Sequence, residues 1–150
     1  MNFSYRLMGL GCAKATLSHG GKTITMECSY MTDSLRDLLK TLENLLIRDG
    51  ETRCSWDDEP GEYRWLFNRS ESSASLRILY FSDINSQSPD FEGDVLIEFT
   101  SSLRDLALSI LNGIQEVLNE YGEDGYLELW HEYPFPTEDL RTVQKLLALA

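Results

Sequence analysis

The sequence predicts an α+β fold, in which two long helices and a C-terminal helix pack on one face of a mainly antiparallel sheet of about six or seven strands. Three observations support this prediction: short segments alternate apolar and polar residues, tight turns join them, and longer stretches repeat leucine at helical spacing. The chain has 150 residues, of which 42% are apolar and 25% charged. It therefore matches one globular domain spanning 1–150.

Alternating residues at the start of the chain predict the first strands. Residues 3–7 and 13–17 both alternate, and the glycines at positions 9 and 11 favour a bulge or bend within one long strand. A turn over 18–21 then leads to another alternating segment at 24–30. We expect these segments to pair as a hairpin with one buried face.

The first helix is predicted by leucines that recur every three or four residues. Thr32 or Asp33 can cap its N-terminus, and Gly50 marks its end. Six leucines on one face need a sheet or another helix to cover them. These residues are Leu35, Leu38, Leu39, Leu42, Leu45 and Leu46.

Further strands are predicted at 54–56, 63–67, 76–81 and 95–99. The segment 57–62, which we call the acidic turn, separates the first two of them and contains Pro60-Gly61. This dipeptide is favoured at the centre of a type II turn, because proline presets φ and glycine supplies a positive φ. Connections this short favour antiparallel neighbours.

The last third of the chain reads as helical with one interruption. Apolar residues at helical spacing predict a helix over 103–121, and Gly122 is its stop signal. Residues 126–130 alternate and form a short strand candidate, after which a Pro-Phe-Pro segment breaks the chain and Thr137 caps a final helix. The predicted order is therefore β-β-α-β-β-β-β-α-(β)-α.

A five-residue segment occurs twice, each time at the predicted start of a helix. Ser-Leu-Arg-Asp-Leu stands at 34–38 and again at 102–106. One interpretation is a duplicated ββα unit with halves at about 1–50 and 51–122, followed by the C-terminal helix. The alternative is that strand-to-helix junctions favour serine caps and amphipathic starts without any common ancestry.

Charge is distributed unevenly along the chain. The net charge is −12, but residues 1–48 carry a net +2 and residues 49–150 a net −14. Nine acidic residues and no Lys or Arg lie between Asp105 and Asp139. A field of this sign repels nucleic-acid phosphates and anionic membranes and attracts basic proteins. We therefore expect a basic protein partner, and neither a nucleic acid nor a membrane.

The residue types that carry catalysis and cofactor binding do not form a recognisable pattern. Three cysteines without a C-x-x-C spacing and two histidines do not form a zinc site. Glycine-rich nucleotide-binding motifs are absent, and no nucleophile motif accompanies His131. The segment 83–94 begins like a calcium loop but has Ser88 where the turn requires glycine. We expect no catalytic, cofactor-binding or metal-binding residues.

The predicted location is the cytoplasm. Unpaired cysteines suit a reducing compartment, and the apolar run before Cys12 is shorter than that of a signal peptide. No apolar run approaches the ~20 residues of a membrane span.

Acidic and aromatic residues provide the candidates for partner contacts. The acidic turn holds four carboxylates, which could contact a basic partner. Alternatively, these carboxylates are simply solvated or bind a divalent cation. Tryptophans flanked by carboxylates suit interface anchors, although most aromatic residues of a small domain lie in its core. The candidate contact residues are Trp56, Asp57, Asp58, Glu59, Glu62, Trp130 and Glu132.

Several of these residues carry a resemblance. The pattern W-x-x-E-P-G-E-Y-R-W at 56–65, followed by Gly125-Tyr126, Trp130 and Pro-Phe-Pro at 134–136, resembles an uncharacterised family of small bacterial proteins. The chain is also similar, at the level of class, to immunity proteins of bacterial toxin systems, which are small, acidic, cytosolic α+β proteins. This similarity implies a non-enzymatic protein that neutralises a basic toxin by direct contact.

Two other functions remain open from the sequence. A structural or scaffold subunit would form a homo-oligomer through an apolar interface. An enzyme of unrecognised type would act through Asp or Glu, with or without a metal.

Overall fold

In the computed structural model, which describes residues 1–83 and 87–150, the chain folds into two antiparallel sheets and three α-helices. The α+β class and the antiparallel pairing are confirmed. The strands are β1 (Asn2–Gly9), β2 (Cys12–His19), β3 (Lys22–Ser29), β4 (Gly50–Asp58), β5 (Gly61–Ser70), β6 (Ser73–Phe81) and β7 (Asp94–Ser102). The helices are α1 (Ser34–Ile47), α2 (Leu103–Trp130) and α3 (Thr137–Leu149).

The first sheet has the order β1-β2-β3. The prediction of one long bent strand across residues 3–17 is wrong, because β1 and β2 form a hairpin and Phe3 pairs with Leu17. Gly9, Leu10 and Gly11 all have positive φ, so the chain reverses direction there. Glycines at this spacing are found both in β-bulges and in tight turns, so the local sequence does not distinguish the two.

The second sheet is a four-stranded meander, β4-β5-β6-β7. Asp58 pairs with Gly61, so Glu59 and Pro60 form the two-residue link between β4 and β5. The predicted type II turn centred on Pro60-Gly61 is therefore wrong, and the Glu59–Pro60 peptide is cis.

The predicted strand at 126–130 is also wrong, because these residues form the last turns of α2. Gly122 departs from helical geometry with φ 70° and ψ 173°, yet the chain returns to helix after it. Tyr126 and Trp130 lie four residues apart and share the buried face. The observed order is β-β-β-α-β-β-β-β-α-α, with three and four strands ahead of the first two helices.

The two sheets meet through aromatic side chains. The ring of Phe3 in β1 lies 6.0 Å from that of Trp65 in β5, and the ring of Tyr5 lies 5.9 Å from that of Trp56 in β4. These centroid distances are typical of favourable edge contacts. The expected single sheet covered on one face is thus replaced by two sheets, with α2 along β1 and α1 against β4.

A smaller apolar cluster lies on the outer face of the second sheet. Leu66, Leu79 and Phe81 form it, and the segment before β7 covers it. A 3₁₀ turn at Asp90–Glu92 holds this segment in place, because Asp90 accepts hydrogen bonds from Arg53 and Arg64. These hydrogen bonds hold the pKa of Asp90 below its ordinary value, and the bond from Arg53 has the larger effect.

The repeated Ser-Leu-Arg-Asp-Leu segment begins both α1 and α2. Ser102 is the N-cap of α2 and accepts a hydrogen bond from the backbone N–H of Asp105 at 3.0 Å, whereas Asp33 caps α1 without such a bond. The leucines of both copies are buried. The segments occupy similar local positions, and a common origin of the two halves stays a prediction.

Within residues 1–83 and 87–150, no helix combines the length and the apolar character needed to cross a membrane.

Candidate partner-binding surface

The acidic turn projects from one end of the second sheet. Asp57 and Asp58 end β4 and are half-buried, and Glu59 follows them as an exposed residue. In the described part of the chain, none of these three carboxylates forms an ion pair. The turn therefore carries concentrated negative charge that the protein does not neutralise.

The pKa values of Asp57 and Asp58 are raised, first by burial and then by neighbouring carboxylates. Burial raises the pKa of Asp57 above its ordinary value, and the nearby charges of Glu62 and Glu59 raise it further. Burial likewise raises the pKa of Asp58, and the charge of Glu27 adds to the effect. Both shifts have the sign expected for a carboxylate that lacks a cationic neighbour.

Glu62 differs from the other carboxylates of the turn. Its side chain is buried, and both oxygens accept hydrogen bonds from Arg64 at 3.3 Å. Arg64 also lies 4.1 Å from the centroid of the Phe81 ring. Glu62 is therefore committed to the outer face of the second sheet and is not available to a partner at the surface.

The two candidate tryptophans lie beneath the surface. Trp56 and Trp130 are fully buried, and the ring of Tyr5 contacts both, at 5.9 and 6.3 Å between centroids. Trp56 Nε1 donates a hydrogen bond to the Ser34 carbonyl at 3.0 Å. Because both indoles are buried, the candidate residues that remain for surface contacts are Asp57, Asp58, Glu59 and Glu132.

Four exposed apolar side chains lie near the acidic turn, three of them in two turns and one at the end of β1. Leu10 in the β1–β2 turn is 87% exposed and Met8 is 56% exposed. Tyr30 and Met31, between β3 and α1, are each 45% exposed. We call Met8, Leu10, Tyr30 and Met31 the turn patch.

Hydrogen bonds connect the turn patch to the acidic turn. The backbone N–H of Tyr30 donates to the Gly11 carbonyl at 2.8 Å, which joins the two halves of the patch. The Ser29 hydroxyl donates to the Asp57 carbonyl at 3.3 Å, and the Asp57 N–H donates to the Thr32 hydroxyl at 3.3 Å. Since Tyr30 and Met31 lie between Ser29 and Thr32, the patch adjoins the acidic turn.

The end of α2 also adjoins the patch. The Gly11 N–H donates to the Leu129 carbonyl at 3.1 Å, which places the β1–β2 turn against the last turn of the helix. Glu132 follows two residues after this helix and is exposed. The patch therefore adjoins Asp57–Glu59 through the segment between β3 and α1, and it adjoins the end of α2, after which the chain carries the exposed Glu132.

Basic residues lie elsewhere. Arg6 and Lys14 are paired in register on the outer face of the first sheet and line a cleft of about 500 Å³ between that sheet and α2. Glu116 and Glu120 of α2 line the same cleft. Since the cleft contains charges of both signs, it lacks the single sign of the surface around the acidic turn.

The cysteines are free and of unequal exposure. Burial raises the pKa of the Cys28 thiol to about 11 and that of Cys54 to about 12, so neither is a thiolate at neutral pH. Cys28 accepts a hydrogen bond from the Ser34 hydroxyl at 3.5 Å. These two thiols therefore behave as packed side chains.

Across the described ranges, no group of three His, Cys, Asp or Glu side chains is placed to hold a metal ion. The segment 83–94, which begins like a calcium loop, includes residues 84–86, and these lie outside the described residues.

Sequence reasoning did not find the turn patch. Leu10 between two glycines and the adjacent Tyr30-Met31 pair are its signals, since both put large apolar residues into turns. Contact between the two turns requires the pairing of β1, β2 and β3, which no local pattern reveals.

No protein-family model matches this chain, and no curated protein matches it either. A chain of the CdiA-CT/CdiI toxin and immunity complex from Enterobacter cloacae has a similar structure, with a TM-score of 0.47 and 11% sequence identity. The match covers 79% of this chain and 98% of that chain.

Proposed function

We propose that this chain is a non-enzymatic acidic binding protein of the immunity type, which neutralises a basic protein toxin by direct contact. One observation carries the proposal: the adjacent carboxylates of Asp57, Asp58 and Glu59 have no cationic partner within the described residues. Bringing three like charges together costs free energy in the isolated protein. A cationic partner relieves that cost when it binds.

A basic toxin fits the charge of the whole chain. A nuclease must bind phosphate and therefore has a basic cleft. A protein of net charge −12 is steered toward such a cleft by long-range attraction. Covering the cleft blocks the substrate without any chemistry by the binding protein.

The proposed site of action is the bacterial cytoplasm, where a toxin must be met before it reaches its target. Three free cysteines suit a reducing compartment, and two of the thiols lie wholly or partly inside the protein.

The test is a pull-down from the source cells with tagged protein, at low and at moderate salt. We expect one basic protein to be retained at low salt and weakened as salt rises. Glu59→Lys should weaken its capture and slow its association by about three- to tenfold, because rim charges act mainly on the association rate.

Glu71→Lys is the matched control. Glu71 is an exposed turn glutamate at the opposite end of β5, so the same charge change is placed far from the acidic turn. Equal weakening by the two substitutions would assign binding to net charge alone. Recovery of this protein and nothing else would favour the scaffold alternative, and the proposal would then be abandoned.

A further inference from the structure

We infer that the turn patch is the apolar centre of the partner interface, and that its occupant is a basic polypeptide surface with apolar side chains at its middle. This inference rests on the proposed function and adds to it the place and the chemistry of the contact. The patch consists of Met8, Leu10, Tyr30 and Met31, all of them exposed.

The grouping of these side chains sets them apart from ordinary surface residues. Single exposed apolar side chains are common on soluble proteins. Here Leu10, Tyr30 and Met31 lie in two turns that the hydrogen bond from Tyr30 to Gly11 joins, and Met8 lies two residues before Leu10 at the end of β1. A contiguous apolar patch bordered by polar groups is typical of a protein interaction site.

The conformation of Leu10 adds a second argument. Its φ is +57°, a region that suits glycine and asparagine and disfavours leucine. Its side chain is also 87% exposed, so no burial in the isolated protein offsets the unfavourable backbone. An unfavourable residue that is also exposed is accounted for by a contact that only the complex supplies.

The patch rests on a closely packed base. A Cβ at Gly11 would lie 2.5 Å from Tyr30 Cδ1, so the Tyr30 ring packs directly on the β1–β2 turn. Tyr5, Trp56 and Trp130 are buried nearby and contact one another through the Tyr5 ring. Such support reduces the entropy that the turns lose on binding.

Charge determines which occupant fits. The acidic turn with Asp57, Asp58 and Glu59 borders the patch. A second copy of this chain would bring the same carboxylates against each other, and an anionic membrane would be repelled. A basic surface pairs with these carboxylates while its apolar side chains cover the patch, which gives the usual arrangement of an apolar centre and a polar rim.

Two synthetic peptides of equal length and equal lysine content test the inference on the full-length chain. One is an amphipathic helix with leucines on one face, and the other has glutamine in place of every leucine. Binding is measured by fluorescence anisotropy at low and at moderate salt. We expect the leucine peptide to bind about tenfold tighter, because only it can cover the turn patch.

The variant for this test is Leu10→Asn/Met31→Gln, since asparagine suits a positive φ and the fold should be kept. It should bind the leucine peptide no more tightly than the glutamine peptide. Leu149→Asn is the matched control, because Leu149 is 85% exposed at the end of α3, and it should leave the tenfold difference intact.

The outcomes separate this inference from the proposed function. Equal binding of both peptides, or a tenfold difference that survives in the double variant, would overturn the inference. If Glu59→Lys then weakened the binding of both peptides, the proposed function as a binder of basic proteins would still be supported. Failure of both peptides to bind at low salt would count against the proposed function as well. If the natural chain sedimented as a dimer and the double variant as a monomer, the patch would be assigned to self-association and the inference would be overturned.

Discussion

Arg64 Nη1 lies 2.9 Å from Asp90 Oδ1, and this ion pair joins the segment before β7 to the middle of the second sheet. The Arg64 side chain is only 5% exposed, and it also contacts Glu62 and the ring of Phe81. The guanidinium thus contacts the carboxylates of Glu62 and Asp90 and the face of the Phe81 ring. Since Glu62 is buried as well, the arginine is the group that compensates its charge.

We predict that Arg64→Met destabilises the protein by about 3–5 kcal/mol, the usual cost of leaving a buried charge without its partner. The free energy of unfolding in urea measures this change. The double variant Arg64→Met/Glu62→Gln should recover part of the loss, because it removes the uncompensated carboxylate.

Arg77→Met is the control for this prediction. Arg77 forms a 3.8 Å pair with Glu98 in which both side chains are largely exposed, so its loss should cost at most about 1 kcal/mol. Similar effects of the two arginine substitutions would contradict the structural role of Arg64.

The stability of the protein should depend on Asp33 between about pH 4 and 6. Burial, then the charge of Asp37, raises the pKa of Asp33 to about 6, while Arg36 opposes the shift. A raised pKa means that the folded state holds the proton more tightly than the unfolded state, so the stability contributed by Asp33 falls as pH rises through this window. Asp139, which pairs with Lys40 and Arg36, also faces this group.

The Asp33→Asn variant does not titrate at this position. Its free energy of unfolding, relative to that of the natural chain, should therefore increase from pH 4 to pH 6 and level off above pH 6. Urea titrations at several pH values measure the difference. A difference that is constant across the window would show that Asp33 has an ordinary pKa.

Two glycines of α2 should respond to alanine in opposite directions. A Cβ at Gly113 would lie 2.3 Å from the Phe3 carbonyl oxygen, so Gly113→Ala must push α2 away from β1. We expect a loss of about 1–3 kcal/mol, as is typical of overpacking.

At Gly125 the nearest side-chain atom, Tyr121 Cβ, is 3.5 Å away, an ordinary contact. Gly125→Ala should therefore be neutral or stabilise the protein by up to about 1 kcal/mol through helix propensity. Thermal unfolding of both variants measures the contrast, and equal effects would mean that α2 does not approach β1 as closely as described.

The candidate tryptophans should act on stability. Trp56→Ala and Trp130→Ala each remove a fully buried ring, and we expect losses of about 3–5 kcal/mol in urea unfolding. In Trp56→Phe the Ser34 carbonyl also loses its hydrogen bond from Nε1, which should cost about 1 kcal/mol beyond the volume change. An effect on partner binding without an effect on stability would place these rings at the interface.

Elements that depend on the spacing of neighbouring residues could be predicted from the sequence. The leucines from Leu35 to Leu45 predicted α1, because helical spacing puts them on one face whatever lies opposite. The acidic turn was found between β4 and β5, since a proline and a glycine end strands in most contexts. Residues 126–130 defeated the same reasoning, because Tyr126 and Trp130 fit both an alternating strand and one helical face.

By itself, the sequence determined the α+β class, the first helix, the strands β4 to β7 and the uneven distribution of charge, all of which follow from the order of neighbouring residues. Only the tertiary structure decided that Trp56, Glu62 and Trp130 are buried and that Leu10, Tyr30 and Asp57 lie on one surface. Contacts between residues tens of positions apart depend on how two sheets and three helices pack around shared aromatic rings. No local spacing contains that information.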